Sequence, residues 1–471
     1  MSTAEGKINS LLASLSPKQR ELLIGRASDD PLTKAYDRKR VVHPGVRAKP
    51  YPPAEREAVW ESIMQQTAPR DEIRAAYIHV PFCSHKCLYC GFFQNFTNED
   101  VETAYVDRLI KDLARDADKP YMTSAPIRSV FLGGGTPSAL SPHNIERVLK
   151  AVHTYLPLAN DCELTLEGRV SDMVEDKMDV WFAGGVNRIS IGVQSFNTKI
   201  RQMAGRLDTR ETIMERMEKA ASYNQAAIII DLIFGLPGQT VETLLGDLAD
   251  MDSLPIDGMD LYQLNLFDNS LMKQAIDAGT IPPASTTMQQ AEMYRAAGEW
   301  LRARMYKRIS GCHWSRTARE RSLYNTLTKS GAKVLPYGAG AGGFIGDATC
   351  FLSRDIAKYM PMVDAGQKPL MVLMQKSPND ALHNEVKFQL EMGWFSPKRL
   401  AEKFSVEESE MTALAEAFVT SGLFVRGEVL YTMTEAGRFW QMNMTQSILE
   451  CIEVLMGGAW SPEIEKIAAQ G

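Results

Sequence analysis

The chain has 471 residues, of which 45% are apolar, and its 58 acidic and 52 basic side chains give a formal net charge of −6. This length is too great for one compact small domain and predicts a large catalytic domain with extensions. The acidic balance argues against a surface dedicated to nucleic acid or to anionic membranes, and no apolar run reaches the roughly 18 residues that a membrane-spanning helix requires.

Residues 1–70 form a polar N-terminal extension with six prolines between positions 31 and 69. We predict a short amphipathic helix at about 7–25, followed by an extended segment that lies on the main domain. The first residues lack the basic start, apolar stretch and small-residue cleavage site of a signal peptide. The seven cysteines, an odd number, argue against a disulfide framework, so we expect the reducing cytoplasm as the location.

Six short apolar or β-branched runs follow, separated by amphipathic stretches. This alternation predicts right-handed βαβ units around a parallel sheet. Six units are too few for a closed eight-stranded barrel, so the predicted fold is α/β, a partial (β/α)6 TIM-like barrel with its chemistry at the carboxyl ends of the strands. The predicted strands cover residues 75–80, 127–132, 162–167, 187–193, 227–234 and 259–267.

The remainder of the chain changes character twice. The stretch that follows the sixth strand is less regular and holds the glycine-rich run YGAGAGGFIG, which predicts a loop or a closely approaching backbone. Beyond it, two helical patterns (the second at about 407–421) and a hairpin pattern predict a helical, winged-helix-like unit. Glutamates offset its basic residues, so we expect a scaffold or substrate lid and no nucleic-acid partner. The predicted domains are the extension 1–70, the barrel with its glycine-rich C-terminal segment 71–375, and the winged-helix-like domain 376–471.

Three of the cysteines, Cys83, Cys87 and Cys90, lie in one short loop after the first predicted strand. A [4Fe–4S] cube needs thiolates that converge on its corners, and three ligands leave one iron open to chelate the amino and carboxylate groups of S-adenosylmethionine. A zinc site would need a fourth ligand, and the candidate, His85, lies between two cysteines where tetrahedral closure is strained. The spacing therefore favours the cluster. The four scattered cysteines are predicted to be small buried hydrophobes.

Other polar or glycine residues lie at the predicted strand ends. The glycine triplet 133–135 follows the second strand and lets the backbone approach a ligand closely. Glu167 and Gln194 end the third and fourth strands. Asp231 is a carboxylate inside the apolar run AIIIDLIF. Because an unpartnered buried carboxylate is costly, we expect a ribose hydroxyl pair or a basic side chain beside it.

Together these motifs resemble a known family. The segment YIHVPFCSHKCLYCGFF resembles the radical-SAM signature of the oxygen-independent coproporphyrinogen oxidase-like group, and the resemblance covers roughly residues 75–450. It continues in order through FLGGGTPSAL, GVNRISIGVQSF, DLIFGLPGQT, GAGAGG and TEAGRFW. It implies a [4Fe–4S] cluster on the three cysteines, which are the metal-binding and catalytic residues, and S-adenosylmethionine as cofactor. The positions that it assigns to cofactor binding are Tyr77, Phe92, Gly133, Gly134, Gly135, Thr136, Glu167, Gln194, Arg206 and Asp231.

Departures from the family pattern indicate a branch. The coproporphyrinogen dehydrogenases carry a further cysteine two residues after the third ligand, where this chain has Phe92. The haem-chaperone branch begins almost at the cysteine motif and carries a His-Asn-x-x-Tyr-type segment, whereas this chain has about 75 residues first and reads RERSLYN in the corresponding region. The segments 258–279 and 342–355 are similar to a third branch, the anaerobic haem-degrading radical-SAM methyltransferases of the anaerobilin synthase type.

This resemblance implies a reaction. One S-adenosylmethionine is cleaved by an electron from the cluster, and a second supplies a methyl group to a haem meso carbon. The macrocycle opens without oxygen to a methylated linear tetrapyrrole, and iron is released. The implied partners are haem, a flavoprotein electron donor and a haem-delivery protein. The cofactors carry the difficult chemistry, while the protein positions them and excludes water.

The residues that contact haem are the least specified by the sequence. His313 and His383 are candidate axial ligands, with a hydrogen-bonded structural role as the alternative for each. Arg438 is a candidate partner for a haem propionate or, alternatively, a residue that stabilises the wing. Two other enzyme or binding functions of the same family stay open, a coproporphyrinogen III dehydrogenase and a non-catalytic haem chaperone. A regulator that acts through the winged-helix-like unit is a further alternative.

Overall fold

A computed structural model of the protein describes residues 6–41, 44–45 and 49–468. Its strands are β1 (Arg74–Val80), β2 (Phe82–Cys83), β3 (Asn95–Phe96), β4 (Ile127–Gly134), β5 (Leu158–Arg169), β6 (Arg188–Gln194), β7 (Ala227–Phe234), β8 (Gly258–Gln263), β9 (Lys307–Arg308), β10 (His313–Ser315), β11 (Lys333–Tyr337), β12 (Gly342–Ile345), β13 (Ala348–Leu352), β14 (Leu370–Gln375), β15 (Trp394–Phe395), β16 (Phe424–Arg426) and β17 (Tyr431–Met433).

The helices connect and cover these strands. They are α1 (Lys7–Ser14), α2 (Pro17–Ile24), α3 (Pro31–Lys34), α4 (Arg56–Met64), α5 (Glu99–Arg115), α6 (Pro120–Thr123), α7 (Pro142–Tyr155), α8 (Glu175–Ala183), α9 (Thr198–Met203), α10 (Arg210–Ser222), α11 (Val241–Ser253), α12 (Leu271–Asp277), α13 (Thr287–Ala303), α14 (Leu323–Lys329), α15 (Ile356–Asp364), α16 (Asp380–Met392), α17 (Pro397–Lys403), α18 (Glu408–Thr420), α19 (Glu435–Phe439), α20 (Gln441–Leu455) and α21 (Pro462–Ala468). None of the helices so described is long and apolar enough to cross a bilayer.

One twelve-stranded sheet dominates the fold, with the order β14-β13-β12-β11-β1-β4-β5-β6-β7-β8-β10-β9. The run from β11 to β8 is parallel throughout, and the strands at either end are antiparallel. Helices such as α5, α7 and α11 lie between successive parallel strands, as βαβ crossovers require. The predicted α/β partial barrel is therefore confirmed.

The sequence underestimates the sheet in one respect. The structure has a seventh parallel strand, β11, which pairs with β1 from Arg74 opposite Lys333 to Ile78 opposite Tyr337. It lies in the stretch that we predict to be irregular, and β12, β13 and β14 extend the sheet beyond it. The reason is that β11 pairs with a strand more than 250 residues earlier in the chain, a partnership that local periodicity cannot reveal.

The N-terminal extension also differs from its prediction. In place of one helix at 7–25, the structure has α1 and α2 with a break at Ser16. Ser16 and Gln19 form a capping box, and Pro17 occupies the first turn of α2. A capped start with proline at the first helical position begins a new helix. Proline has no backbone N–H, so it cannot donate the hydrogen bond that would continue the preceding helix. The segment that we expect to be extended also contains the helix Arg56–Met64.

The winged-helix-like unit is present as expected. Helices α17 and α18 precede the strands β16 and β17, and β15 completes a three-stranded antiparallel sheet. The N-terminal helices pack on this end of the chain, since the backbone amides of Lys7 and Ile8 both donate to the Glu410 carboxylate at the start of α18. Arg40 is buried against α20, where it donates to Ser447 and to Glu450. The three domain boundaries stay a prediction.

Candidate functional site

Polar side chains share one face of the parallel strands near their carboxyl ends. Asp231 of β7 lies in register with Asp260 of β8 and with Gly192 of β6, and Glu167 of β5 lies in register with Ser190 of β6. Because parallel neighbours in register point to the same face, these groups converge inside the partial barrel. Elsewhere these strands are lined by isoleucine, leucine and valine, so the interior holds a compact polar patch within an apolar shell.

The three-cysteine loop closes one end of this interior. Cys83 and Cys87 are buried, and Cys90 is partly exposed. The Cys83 Sγ lies 3.3 Å from the Thr136 hydroxyl, and the backbone amide of Phe92 donates to the Cys90 Sγ at 3.3 Å. Hydrogen bonds to sulfur favour the thiolate that binds metal. The loop therefore presents three sulfurs that are already oriented by their neighbours.

Two arginines give the loop a positive environment. Arg169 at the end of β5 donates to the His85 carbonyl at 2.8 Å, and the Arg206 Nη2 donates to the Tyr89 hydroxyl at 3.1 Å. Burial raises the pKa of the Cys83 thiol, while Thr136 and Arg169 oppose that rise. The nearby phenol and thiol outweigh burial and raise the pKa of Arg206, whose buried Nε has no partner among the described residues. Such a loop suits an anionic group.

The loop also passes a test of fit for a cluster. The three cysteines lie within eight residues of one loop, and all three are free thiols. A cube of four irons takes each thiolate on a different iron. Three thiols in one loop are therefore a donor set that fits a [4Fe–4S] group, whereas the zinc alternative would need a fourth ligand.

The glycine triplet forms a cradle beside the loop. Gly134 has φ +113°, a conformation that favours glycine, and its amide donates to the Glu167 carboxylate at 3.3 Å. A Cβ at Gly133 would lie 2.7 Å from the same carboxylate, and one at Gly135 would lie 2.6 Å from the Phe82 carbonyl. Only a residue without a side chain fits these positions. Backbone polar groups there can face a ligand directly.

Gln194 has a strained backbone at the end of β6. Its φ is +72°, and the register between β6 and β7 shifts between Gly192 and Gln194. A Cβ at Gly192 would lie 2.6 Å from the Gln194 amide nitrogen and 3.1 Å from the Arg206 guanidinium. The bulge thus turns both side chains over the bare backbone of Gly192. Non-glycine residues in this region of φ are uncommon and cluster at functional sites.

Buried carboxylates near this cradle have unusual proton affinities. Burial and the neighbouring Asp231 raise the pKa of Glu167 to about 8. Burial and Asp260 raise the pKa of Asp231 to about 7, although Ser190 donates to it at 3.1 Å. Two like charges in a low-dielectric interior resist simultaneous ionisation. A bound ligand with cationic or hydroxyl groups would relieve this conflict, so the patch is arranged to receive one.

His313 lies on β10, next to β8, and both of its ring nitrogens lie close to carboxylates. Its Nδ1 is 3.0 Å from Asp260 and its Nε2 is 3.0 Å from Glu320, which also pairs with Arg188 at 3.1 Å. Although burial opposes the charge, the two carboxylates raise the pKa of His313 to about 9. Both ring nitrogens face carboxylates, which favours the hydrogen-bonded structural role that the sequence left open. Axial ligation of haem by His313 stays a prediction.

The other two haem candidates lie in the C-terminal part. His383 is buried on α16 with its Nε2 3.0 Å from Glu453 of α20, so it joins two helices. This contact favours the structural role, and axial ligation by His383 stays a prediction. Arg438 on α19 packs against Gly393, where glycine is required by the close approach of the guanidinium. It forms no ion pair with any described residue, and burial lowers its pKa.

A pH experiment tests the assignment of His313. Its folded pKa of about 9 exceeds the ordinary value of 6.5, so its contribution to stability is complete below pH 6.5 and is lost as the pH rises through 9. We expect His313→Gln to lower the urea midpoint most at pH 6 and progressively less towards pH 9. His153 is exposed at the end of α7, and His153→Gln is the control that should keep the wild-type slope. A deficit independent of pH would contradict the ionised state.

Several site residues escaped the sequence analysis. Asp260 and Tyr262 alternate along β8, which places both on the interior face, and Ser190 occupies the matching face of β6. The alternation of these polar residues with apolar ones along each strand could have identified them as interior residues. Glu320 and Tyr324 carry no such signal, because they lie in the irregular segment around α14. Tyr324 nevertheless packs on Phe131 with ring centroids 4.7 Å apart, and with Tyr77 these rings form one wall of the interior.

The positions assigned by resemblance mostly come together. Tyr77, the glycine triplet, Glu167, Gln194, Arg206 and Asp231 surround the interior described above, and Thr136 bonds to Cys83. Phe92 lies at the rim and is 68% exposed, and the Arg354 guanidinium donates to its carbonyl. The Phe267 ring lies beside the preceding residue, Gly91. An exposed aromatic ring at this rim is available to a ligand. The assignment of these residues to S-adenosylmethionine stays a prediction.

Comparison with known proteins agrees with this geometry. The model of the Radical SAM superfamily matches residues 77–251. Anaerobilin synthase of Escherichia coli O157:H7 is 38% identical over 399 residues, which cover 84% of this chain and 88% of that protein. The haem chaperone HemW of Bacillus subtilis is 26% identical over 78% of this chain and 96% of its own length. Among solved structures, coproporphyrinogen III oxidase (HemN) from Escherichia coli superposes with a TM-score of 0.75 at 20% identity, covering 90% of this chain and 99% of that one.

Proposed function

We propose that this chain, which belongs to the radical SAM superfamily and to the group within it that contains anaerobilin synthase, opens the haem macrocycle without oxygen. The product would be a methylated linear tetrapyrrole, and the iron of haem would be released. The observation that carries the proposal is the 38% identity to anaerobilin synthase across most of both chains. We place the reaction in a reducing cytoplasm, where a low-potential cluster and free cysteines persist.

Residues of the site support this choice over the alternatives. Phe92 stands where the coproporphyrinogen dehydrogenases of the family carry a further cysteine, so the loop offers three thiols in this region. The HemN likeness rests on the fold, since the identity is 20%. The HemW likeness keeps a haem-binding chaperone as the second candidate. An interior with ionisable carboxylates, a glycine cradle and a strained glutamine is better suited to turnover than to storage.

The chain's own residues would bind and orient the cofactor. Cys83, Cys87 and Cys90 would hold the cluster, which supplies the electron that cleaves S-adenosylmethionine. The carboxylate of Glu167 and the backbone of the glycine triplet would bind its polar groups, and Asp231 would accept from a ribose hydroxyl pair. Arg169 and Arg206 would balance the negative charge of the loop. The aromatic wall would exclude water, which strengthens each of these polar contacts.

Two further features belong to the proposal. A second molecule of S-adenosylmethionine would supply the methyl group, since the cleaved molecule is consumed as the oxidant. A flavoprotein would deliver the electron, and a haem-delivery protein would bring the substrate. The exposed rim at Phe92, Phe96 and Phe267 is the surface next to the three-cysteine loop that such partners can approach. Electron transfer favours short distances, so a donor should dock at this rim.

The test is an anaerobic reaction with labelled cofactor. Reconstituted protein, haem, a strong reductant and S-adenosylmethionine carrying an isotopic methyl group are mixed without oxygen. We expect the haem absorbance band to disappear and the product to be an open-chain tetrapyrrole whose mass includes the labelled carbon. Mass spectrometry of the product and an iron assay provide the measurement. Parallel reactions with unlabelled S-adenosylmethionine and without reductant are the controls.

Different outcomes would favour the other members of the group. Conversion of coproporphyrinogen to a divinyl product with release of carbon dioxide would favour the dehydrogenase. Haem that is recovered intact and bound in stoichiometric amount, with little cleavage of S-adenosylmethionine, would favour the chaperone. A ring-opened product without the label would refute the methyl transfer and retain the ring opening.

A further inference from the structure

The third cysteine of the loop accepts a hydrogen bond from a peptide group that is itself held by a charged side chain. The backbone N–H of Phe92 donates to the Cys90 Sγ at 3.3 Å. This N–H belongs to the same peptide group as the Gly91 carbonyl. The guanidinium of Arg354, in the loop after β13, donates to the Gly91 carbonyl at 3.4 Å and to the Phe92 carbonyl at 3.3 Å. Arg354 and the Cys90 sulfur are therefore joined through one peptide group.

The charge of Arg354 is not neutralised by a carboxylate. Its side chain is exposed, and it forms no ion pair within the part of the chain that the structure describes. The adjacent Asp355 carboxylate is engaged elsewhere, because it caps α15 by accepting from the Ala357 amide at 2.9 Å. An arginine side chain stays charged in proteins. A full positive charge therefore lies beside the backbone that follows Cys90.

Gln94 and His79 hold the guanidinium in this position. The Gln94 side-chain amide accepts from the Arg354 Nε at 3.1 Å and donates to the Arg354 carbonyl at 2.9 Å. Its oxygen also accepts from the His79 Nε2 at 3.1 Å, while the His79 Nδ1 accepts from the Tyr77 hydroxyl at 3.2 Å. Burial lowers the pKa of His79 to about 4, so the ring is neutral with a single N–H. A Cβ at Gly340 would lie 2.9 Å from the Gln94 amide, so the glycine-rich loop packs closely on this network.

These contacts bear on the electron that the cluster accepts. Hydrogen bonds to the ligand sulfurs and nearby positive charge both stabilise the reduced cluster, which is the more negative form. A cation at the carbonyl of a peptide group also polarises that group, and its N–H becomes a stronger donor. Arg354 can therefore act on the Cys90 sulfur in two ways, by its charge and through the peptide group between Gly91 and Phe92.

We propose that Arg354 is a positioning residue that raises the reduction potential of the cluster through the peptide group bonded to Cys90. The proposal rests on the assignment of Cys90 as a cluster ligand, which is part of the function proposed above. The step concerned is the transfer of one electron from the external donor to the cluster, and no bond forms or breaks in it. A higher potential allows a donor at the neighbouring Phe92 rim to reduce the cluster more completely.

A redox titration of the reconstituted protein, without haem or S-adenosylmethionine, tests this role. Electron paramagnetic resonance measures the reduced cluster at a series of fixed solution potentials, at low ionic strength because salt screens an exposed charge. We expect Arg354→Gln to lower the ratio of reduced to oxidised cluster about tenfold at a given potential, the order of magnitude for one nearby charge, or about 59 mV for one electron. Arg354→Lys keeps the charge without the guanidinium geometry and should recover about half of this shift.

Lys358→Gln is the matched control. Lys358 is exposed on α15, and its ammonium forms no ion pair or hydrogen bond with a described residue. Its loss removes the same charge from the same part of the chain and should leave the potential unchanged. A wild-type potential in Arg354→Gln with a full cluster would overturn the proposal. An equal shift in Lys358→Gln would also overturn it and indicate a general effect of net charge.

A second variant covers the case in which Arg354→Gln does not hold a full cluster. Gln94→Leu keeps the charge of Arg354 and removes the side chain that fixes it, so the potential should fall in the same direction by a smaller amount. A potential equal to that of the wild type would then overturn the proposal. A shifted potential together with no ring-opened product would refute the proposed function alone, because the titration needs neither haem nor turnover.

Discussion

Replacing Cys87 by alanine should abolish both the brown absorbance of the reconstituted protein and every turnover that depends on it. The Cys87 thiol is buried in the loop between Cys83 and Cys90, and we expect all three sulfurs to bind the cluster. With two thiolates the cube loses a corner ligand and the iron next to it is exposed to water. Iron and sulfide analysis, together with the brown visible absorbance, gives the measurement.

The control for this variant is Cys451→Ala. Cys451 is fully buried on α20 and contacts no residue of the loop, so it behaves as a small hydrophobe. We expect its alanine variant to lose a little stability through the cavity and to keep a full cluster. If Cys87→Ala retained about one cluster per chain, the assignment of the three ligands would be wrong. Loss of the cluster in both variants would indicate damage to the fold instead.

Asp231→Asn should leave the cluster intact and weaken the binding of S-adenosylmethionine. Its carboxylate is buried beside the cradle, accepts from Ser190 and faces Asp260. The amide keeps the shape and removes the charge, and a lost charge-assisted hydrogen bond costs about 1.5–3 kcal/mol, or roughly ten- to hundredfold in affinity. Calorimetry on the reconstituted protein measures the change. Asp250→Asn, at a surface ion pair with Arg210, should bind normally.

The pKa of Asp231 predicts how the effect of this substitution on affinity changes with pH. Burial and Asp260 raise the pKa of Asp231 to about 7. Below that pH the group is protonated and resembles the asparagine, and above it the carboxylate is the stronger acceptor. The affinity of the wild type should therefore rise from pH 6 to pH 8, and its advantage over the variant should widen. A gap that stays constant across this range would exclude ionised Asp231 from the site.

The sequence predicted the parts of the fold that local patterns determine. Six β-branched or apolar runs became the six strands β1 and β4–β8, because strand periodicity and the helices between them are properties of short windows. The three-cysteine loop was equally accessible, since its ligand spacing lies within eight residues. Short stretches of sequence do not show which strands pair at long range. Strand β11 pairs with β1, and no pattern in either segment predicts that pairing.

The same limit applies to His313. The motif GCHW does not show which residues its histidine will contact. One of them, Glu320, lies in a segment without helical or strand periodicity. Glu320 also binds Arg188, which is 132 residues distant. A buried ionic network joins residues that only the fold brings together, so the contacts of His313 could not be predicted from the sequence.

The contact between the two ends of the described chain has a consequence for synthesis. The amide of Lys7 and the carboxylate of Glu410 are 403 residues apart, and at about 5–20 residues per second a ribosome needs roughly 20–80 s to make that stretch. During this interval the apolar face of α1, with Ile8 and Leu12, has no partner and is available to a chaperone. The hydrogen-bond acceptors of Arg40 on α20, Ser447 and Glu450, are synthesised later still. The strands of the large sheet end at Gln375, so the barrel can form before the N-terminal extension is fixed on the C-terminal helices.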